Sequence, residues 1–460
     1  MKSISRAWLK VRENTTPIQL IVCAYFGLII ITFALLSLPF FRNPAGVSSP
    51  LDTFFMAVST VSVTGLTTVP INEVYNNYGV VLLEILFQVG GLGVTMLATV
   101  GMIFTRRRIS LHQRQLIQVD MNQPRLSGTV RLVYSVFGLM MALQLFFGII
   151  FAGYFYLKSD FLNFKEALFE GFYTSITAVT NAGFDITGSS LHPYRHDYLF
   201  LFFVIVLIIV GGIGFPVLAE LREWFLFRFN TKKSGRFQFS LFVKLAVFFA
   251  ALFFVLGAVL IFLAELQGKF ASQPLSEKVM TALFYSASTR NAGLQLDALT
   301  DFRPVTLLLF SLLMFIGASP SSVGGGVRTT TIGILLLYLY SFIRGRKDVN
   351  IFGRRIGHDD IQKAVVVVNL SLLLCGLAVL LLAATEKQSL IALIFEVASA
   401  FGTTGLSLGI TGSLSVVGKI VIIVLMFIGR VGMLYMLMLF ISKKEQEANY
   451  MYPVEQVIIG

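Results

Sequence analysis

The 460-residue chain is 56% hydrophobic and only 13% charged, with a mean hydropathy of +0.81. Soluble domains carry roughly 25% charged residues, so the composition excludes a water-soluble protein and a large soluble domain. The formal net charge of +12 does not call for nucleic acid, because two thirds of the 36 lysines and arginines fall on one set of alternate loops, and the positive-inside rule makes those loops cytoplasmic.

In chain order, a basic arm (Lys2, Arg6, Lys10, Arg12) precedes the first apolar run, Ile18–Phe40. Its length and the lack of a small-residue cleavage site predict a retained helix rather than a signal peptide. A short stretch, "DTFFMAVS", follows. It is too short to cross a bilayer but suits a re-entrant half-helix. Then come the polar segment "STVSVTGL" (Ser59–Leu66) and a long apolar run containing "VGGLGV". Beyond the basic residues Arg106 to Arg131 the order returns as Leu132–Tyr156, "EALFEGFYTSIT", "TAVTNAGF" (Thr177–Phe184) and Tyr198–Leu218 with "VGGIGF". A third pass gives Leu241–Leu263, "KVMTALFYSA", "ASTRNAGL" (Ala287–Leu294) and a run from Pro304 to Ile343. The fourth gives Ala364–Ala384, "LIALIFEVAS", "SAFGTTGL" (Ser399–Leu406) and Ile420–Ile441 with "IGRVGM".

The four polar segments align on Gly65, Gly183, Gly293 and Gly405, at intervals of 118, 110 and 112 residues. The next glycine cluster begins 25, 28, 24 and 24 residues further on. Repetition at a fixed period is an architectural signal. It predicts an all-α integral membrane fold of four parallel helix–pore-loop–helix repeats, with eight transmembrane helices and four re-entrant pore helices around one central ion pore. The predicted boundaries are 1–110, 111–235, 236–350 and 351–442, with a cytoplasmic tail at 443–460. Both termini are expected on the cytoplasmic side. A single Gly/Thr segment reads equally well as an ordinary turn; four matched copies do not.

Pore helices aim the partly negative ends of their dipoles inward, which favours a cation. Irregular backbone at membrane depth is tolerated where it lines a wet cavity. The candidate ion filter is therefore Val61, Ser62, Val63, Thr64 and Gly65; Val179, Thr180, Asn181, Ala182 and Gly183; Thr289, Arg290, Asn291, Ala292 and Gly293; and Phe401, Gly402, Thr403, Thr404 and Gly405. Its backbone carbonyls are the candidate K⁺ ligands, replacing the ion's hydration shell. Arg290 is expected to point away from the axis and hydrogen-bond the loop from behind.

These segments resemble the Trk/Ktr/HKT superfamily of potassium transporters over nearly the whole chain. The start of repeat one near Ile18 fits a Ktr-type membrane subunit (KtrB- or KtrD-like). The resemblance implies potassium uptake across a bacterial cell membrane, K⁺ selectivity from a glycine in all four filters, Na⁺ as activator, and no enzymatic activity. It also implies a homodimer and a cytoplasmic ring of RCK/KTN regulatory subunits that carries the nucleotide. A less selective Na⁺- or ammonium-permeable relative is the alternative, and a membrane-embedded enzyme lacks a catalytic cluster.

As one helix, the 40 residues from Pro304 to Ile343 would span about 60 Å, twice the hydrocarbon core. The middle, "GASPSSVGGGVRTTT", predicts a break. An intramembrane loop is expected over Gly317–Thr331, and the resemblance makes Gly317, Ala318, Ser319, Pro320, Ser321, Ser322, Gly324, Gly325, Gly326, Thr329 and Thr330 the gate. A static break for packing is the plainer alternative. Arg328 is expected to anchor the loop. Arg430, in "MFIGRVGML", is placed near midplane, where a charge is costly. The resemblance implies that it raises a barrier to cations below the filter; the alternative is that it ties down loop carbonyls, and the two are compatible because a loop-bound arginine would couple gate position to barrier height. Glu84, Glu170 and Glu396 are read as structural partners of the pore helices. The apolar tail residues Val454, Val457, Ile458 and Ile459 are expected to pack on a second protomer.

Overall fold

The computed structural model describes residues 16–440 apart from 45, 106–108, 122–125, 159–162, 187, 189 and 230–234, together with 453. The basic N-terminal arm and Val454, Val457, Ile458 and Ile459 lie outside the described residues.

Four times the chain forms a long helix, a short buried helix, a non-helical segment and a second helix. The first repeat opens with α1 (Pro17–Leu36), whose start is fixed by Pro17 and by a reciprocal cap between Thr16 and Gln19. Its pore helix α2 (Pro50–Ser62) is capped by Ser49, which accepts the Asp52 amide at 3.1 Å. The second helix comprises α3 (Asn77–Leu92) and α4 (Val94–Phe104). A connecting helix, α5 (Leu111–Asp120), leads to repeat two: α6 (Thr129–Leu157), pore helix α7 (Phe164–Thr180), then α8 (Tyr198–Gly212) and α9 (Phe215–Phe229). Repeat three has α10 (Leu241–Glu265), pore helix α11 (Leu275–Ser288), α12 (Pro304–Ile316) and α13 (Thr329–Ile343). A two-stranded hairpin of β1 (Asn350–Ile351) and β2 (Arg354–Arg355) precedes repeat four. That repeat has α14 (His358–Thr385), pore helix α15 (Leu390–Gly402), α16 (Val416–Val431) and α17 (Met433–Phe440).

Among the described residues, α1, α6, α10 and α14 are the four single helices long and apolar enough to cross a membrane. They expose Phe26, Leu145, Leu260 and Leu380, as lipid-facing helices do. The pore helices are buried instead, and the hydroxyls of Ser59, Thr60, Ser62, Ser175, Ser286 and Ser399 lie in the protein interior. The chain is thus a multi-pass membrane protein with a polar centre inside an apolar coat.

The second helix of repeat three is not alone in breaking: all four second helices break at their glycine cluster. The paired halves meet at 101° in repeat one, 106° in repeat two and 95° in repeat four. The hinge residues Gly93, Gly214 and Gly432 have φ of +90°, +105° and +97°, which only glycine adopts readily. The regular glycine spacing has a second cause. A Cβ on Gly90, Gly211 or Gly429 would collide with the carbonyl of Val61, Val179 or Phe401, at or near the end of its own repeat's pore helix. The second helices of repeats one, two and four therefore cross their pore helices at backbone distance.

Candidate functional site

The four alignment glycines meet. A Cβ on Gly65, Gly183, Gly293 or Gly405 would lie within 2.6 Å of the carbonyl oxygen of Ala182, Ala292, Thr404 or Thr64, respectively. Each glycine thus faces the carbonyl just ahead of the glycine in another repeat, and the contacts close into a ring. All four have positive φ, +89°, +65°, +70° and +94°. Absence of a side chain and access to this backbone region are both required, so the ring demands glycine on two counts.

Ahead of the ring, Val63, Asn181 and Thr403 cap their pore helices in the left-handed conformation, at φ of 56°, 52° and 49°. A left-handed non-glycine residue costs on the order of 1–3 kcal/mol. The strain is held from behind by side chains. Tyr173 donates to the Phe184 carbonyl at 3.1 Å, the Ser399 hydroxyl accepts the Gly405 amide at 3.1 Å, and Ser62 and Thr64 share a 2.6 Å hydrogen bond. Glu396 accepts from Ser407 at 2.9 Å and from Thr411, bracing the chain after Gly405. Glu396 thus partners the segment beyond its pore helix, whereas the buried Glu84 Oε1 has no hydrogen-bond partner among the described residues.

Repeat three departs from this pattern. α11 runs on through Thr289 in right-handed backbone, and tight turns carry the chain through Arg290 and Asn291 to Gly293. Arg290 does point away from the ring, but it donates to the Ala250 carbonyl of α10 at 2.8 Å, not to its own loop. α10 packs against α11, which brings the Ala250 carbonyl within reach of Arg290.

A cavity of about 490 Å³ lies on the side reached by the chain after the glycines, lined by Gly65, Thr67, Gly183, Asp185, Gly293, Asp297, Gly405, Ser407 and Thr411. A second cavity, about 460 Å³, is lined by Gly91, Gly93, Pro320, Ser322, Gly326, Arg328, Thr330, Arg430 and Gly432. The predicted loop, observed over residues 317–328, forms part of the wall of the second cavity.

The three consecutive glycines of that loop press on the residues leading into the ring. A Cβ on Gly324 would fall 2.5 Å from Asn291 Oδ1, and one on Gly325 would fall 2.5 Å from Thr403 Oγ1. The Gly325 amide donates to Asn291 Oδ1 at 3.1 Å. The Ser319 amide donates to the Gly212 carbonyl at 3.0 Å, the Ser321 carbonyl accepts the Phe215 amide at 2.7 Å, and Thr329 donates through its amide to Ala318 at 3.1 Å. Arg328 donates to the Gly324 carbonyl. Arg430, 8% exposed, donates to the carbonyls of Val323 and Gly90, and to Gly91 at 2.7 Å. Arg430 thus holds one loop carbonyl, that of Val323, and two from the end of α3. Asn291 and Arg430 therefore join the loop to repeats four and one, and its backbone hydrogen bonds to Gly212 and Phe215 join it to repeat two.

Val323 was missed in the sequence. It is 1% exposed, and its Cγ1 lies 2.9 Å from where a Gly91 Cβ would sit, in a space shared with Val63 and Thr180 side chains. The available signal was that Val323 is the one bulky apolar residue in "GASPSSVGGG".

A family model described as TrkH, cation transport protein, matches residues 18–452. The chain belongs to this family. It is 45% identical to Ktr system potassium uptake protein D of Bacillus subtilis, over 98% of this chain and 99% of the relative. It is 32% identical to the potassium/sodium uptake protein NtpJ of Enterococcus hirae, over 98% and 99%. The crystal structure of the potassium transporter TrkH from Vibrio parahaemolyticus superposes with a TM-score of 0.70 over 94% of this chain and 87% of that one, at 18% identity, which supports the same membrane fold. As a TrkH-family member the chain is an ion transporter and not an enzyme.

Proposed function

We propose that this TrkH-family chain takes up potassium through the axis of the glycine ring. The closed ring of four glycines, each turned by positive φ toward a neighbouring repeat's carbonyl, carries the proposal. Backbone carbonyls around one axis can replace the hydration shell of a dehydrated cation, and four pore-helix C-termini add partial negative charge. The filter segments are four different sequences, so the wall is asymmetric and admits Rb⁺ alongside K⁺.

The loop over residues 317–328 is the gate in this reading. Val323 fills the space beneath the filter, and its carbonyl is held by Arg430. Because Asn291 belongs to filter and loop contacts alike, moving the loop alters the filter's support. The membrane potential, about 2.3 kcal/mol per charge per 100 mV, supplies the driving force, and Na⁺ assists. Both termini are cytoplasmic, two copies associate, and an RCK/KTN nucleotide-binding ring docks on the basic loops, including Arg344–Arg355. The relatives named as Ktr system components support a multi-subunit system. The name of the Enterococcus hirae relative supports the second reading, a pore that also passes sodium.

Radiolabelled Rb⁺ uptake into potassium-loaded liposomes holding the purified protein tests the proposal. Uptake blocked by external K⁺ and only weakly by Na⁺ is the expected result. Equal block by both ions overturns the selectivity and favours the second reading. No uptake, with the loop intact and with Gly324–Gly326 removed, overturns the pore.

A further inference from the structure

We propose that Asn291 is a positioning residue for ion selection: its side-chain oxygen ties the candidate filter of repeat four to the loop over residues 317–328, so that ion preference depends on where the loop sits. The inference rests on the reading of the glycine ring as the filter and of the loop as its gate. Asn291 is 1% exposed. Its Oδ1 accepts two hydrogen bonds at once, from the Gly325 amide at 3.1 Å and from the Thr403 hydroxyl at 3.3 Å. An amide oxygen has two lone pairs, and here one serves the loop and the other serves repeat four.

Sequence alone does not distinguish Asn291 from Asn181, which opens the same "NAG" tripeptide in repeat two. The backbone does. Asn181 is left-handed, at φ 52°, and its Nδ2 donates to the Ile208 carbonyl of α8 at 3.3 Å, within its own repeat. Asn291 is not among the residues with positive φ, and its amide donates to the Ser288 carbonyl at 3.2 Å in the turns that follow α11. With that backbone its side chain meets the loop and repeat four instead.

What this oxygen holds bears on the ring. Thr403 is left-handed, at φ 49°, and a β-branched residue is strained there, so its conformation depends on support from its neighbours. The next residue, Thr404, presents the carbonyl that faces Gly293. Asn291 and Gly293, two positions apart in repeat three, thus contact the adjacent Thr403 and Thr404 of repeat four. The loop supports the same group. A Cβ on Gly324 would fall 2.5 Å from Asn291 Cγ and Oδ1, and one on Gly325 would fall 2.5 Å from Thr403 Oγ1, so glycine is what lets the loop approach this closely. Withdrawing the loop removes the Gly325 amide and both contacts, and leaves Thr403 and the Thr404 carbonyl free to move.

The test is Rb⁺ uptake into liposomes by the full-length protein, with K⁺ and Na⁺ as competitors, for the unsubstituted chain, Asn291→Leu, Thr403→Val and the double substitution. Leucine is close to asparagine in shape but lacks the acceptor, and valine is close to threonine but lacks the donor. Loss of one neutral hydrogen bond corresponds to about a fivefold effect, so each single substitution should lower K⁺ over Na⁺ preference about fivefold. The double substitution should lower it no further, because both changes remove the same bond. Thr403→Ser, which keeps the hydroxyl, should recover most of what Thr403→Val loses, a result that a packing role for Thr403 does not produce. Should Asn291→Leu fail to fold, the two Thr403 variants probe the same bond from its other end. Removing Gly324–Gly326 should lower the preference of the unsubstituted chain by a similar factor and add nothing to Asn291→Leu. Unchanged preference in folded Asn291→Leu and Thr403→Val, or losses that add in full in the double substitution, overturn the role of Asn291. A further loss on removing the loop from Asn291→Leu overturns its link to the loop. Uptake by the unsubstituted chain that K⁺ and Na⁺ block equally overturns the potassium-selective filter, and this inference with it, so the two failures are told apart.

Discussion

Substitution of Gly293 by serine probes the ring directly. Gly293 has φ +70°, and a Cβ there would strike the Thr404 carbonyl, with the Cα atoms of Gly183 and Gly405 both 3.2 Å away. Left-handed backbone costs an L-residue about 1–2 kcal/mol, and overpacking a filled site costs about 1–3 kcal/mol more. No side-chain rotation relieves the contact, because the obstacles are backbone. The strain is released only by displacing the Thr404 carbonyl, one of the proposed ligands. Since about 1.4 kcal/mol is a factor of ten, a shift that relieves even half of the strain should reduce K⁺ over Na⁺ preference by about tenfold. The assay is Rb⁺ uptake in liposomes with K⁺ and Na⁺ as competitors. Gly128→Ser is the control: its φ is +86° but nothing lies within 4 Å of a Cβ there, so it should cost stability without changing preference. An unchanged ion preference in a folded Gly293→Ser protein would refute the assignment of the ring as the filter.

Removing Gly324–Gly326 should raise Rb⁺ uptake by the isolated chain, because the loop then loses its seat on Asn291 and Thr403; uptake equal to that of the intact protein would favour a static break. Val323→Ala should also raise uptake, and Val323→Phe should lower it, if Val323 fills the path; identical rates for all three would remove it from the path. Arg430→Met frees the carbonyls of Val323, Gly90 and Gly91 and should increase uptake while lowering thermal stability, since bonds to a charged group contribute about 1.5–3 kcal/mol each. A stability loss with unaltered uptake would make Arg430 purely structural. Glu396→Ala should destabilise by about 1–3 kcal/mol through unpaired Ser407 and Thr411, and Glu396→Gln by less; equal losses in thermal unfolding would argue against the hydrogen bonds as the cause.

Local sequence determined more of this protein than is usual, because lipid imposes one-dimensional rules. Apolar runs must be long enough to cross, basic residues sort by side, and a polar segment inside an apolar run needs a wet or buried place. Four copies of that segment at a near-constant period made the fold, the re-entrant helices and the glycine at each ring position legible. The loop of repeat three was legible for the same reason, since Pro320 and three successive glycines cannot sustain a helix. Tertiary structure decided what depends on neighbours from other repeats. The bends at Gly93, Gly214 and Gly432 looked like ordinary glycine-rich helix until positive φ and the crossing over the pore helices were seen. Arg290 turned to a carbonyl on α10 that no spacing announced, and Arg430 found carbonyls 107 and 340 residues away. Val323 gained its position only because Gly91 leaves room for it. Sequence period reports what each repeat does alone; the contacts between repeats, where side chains and carbonyls compete for the same small space around one axis, exist only in the assembled fold.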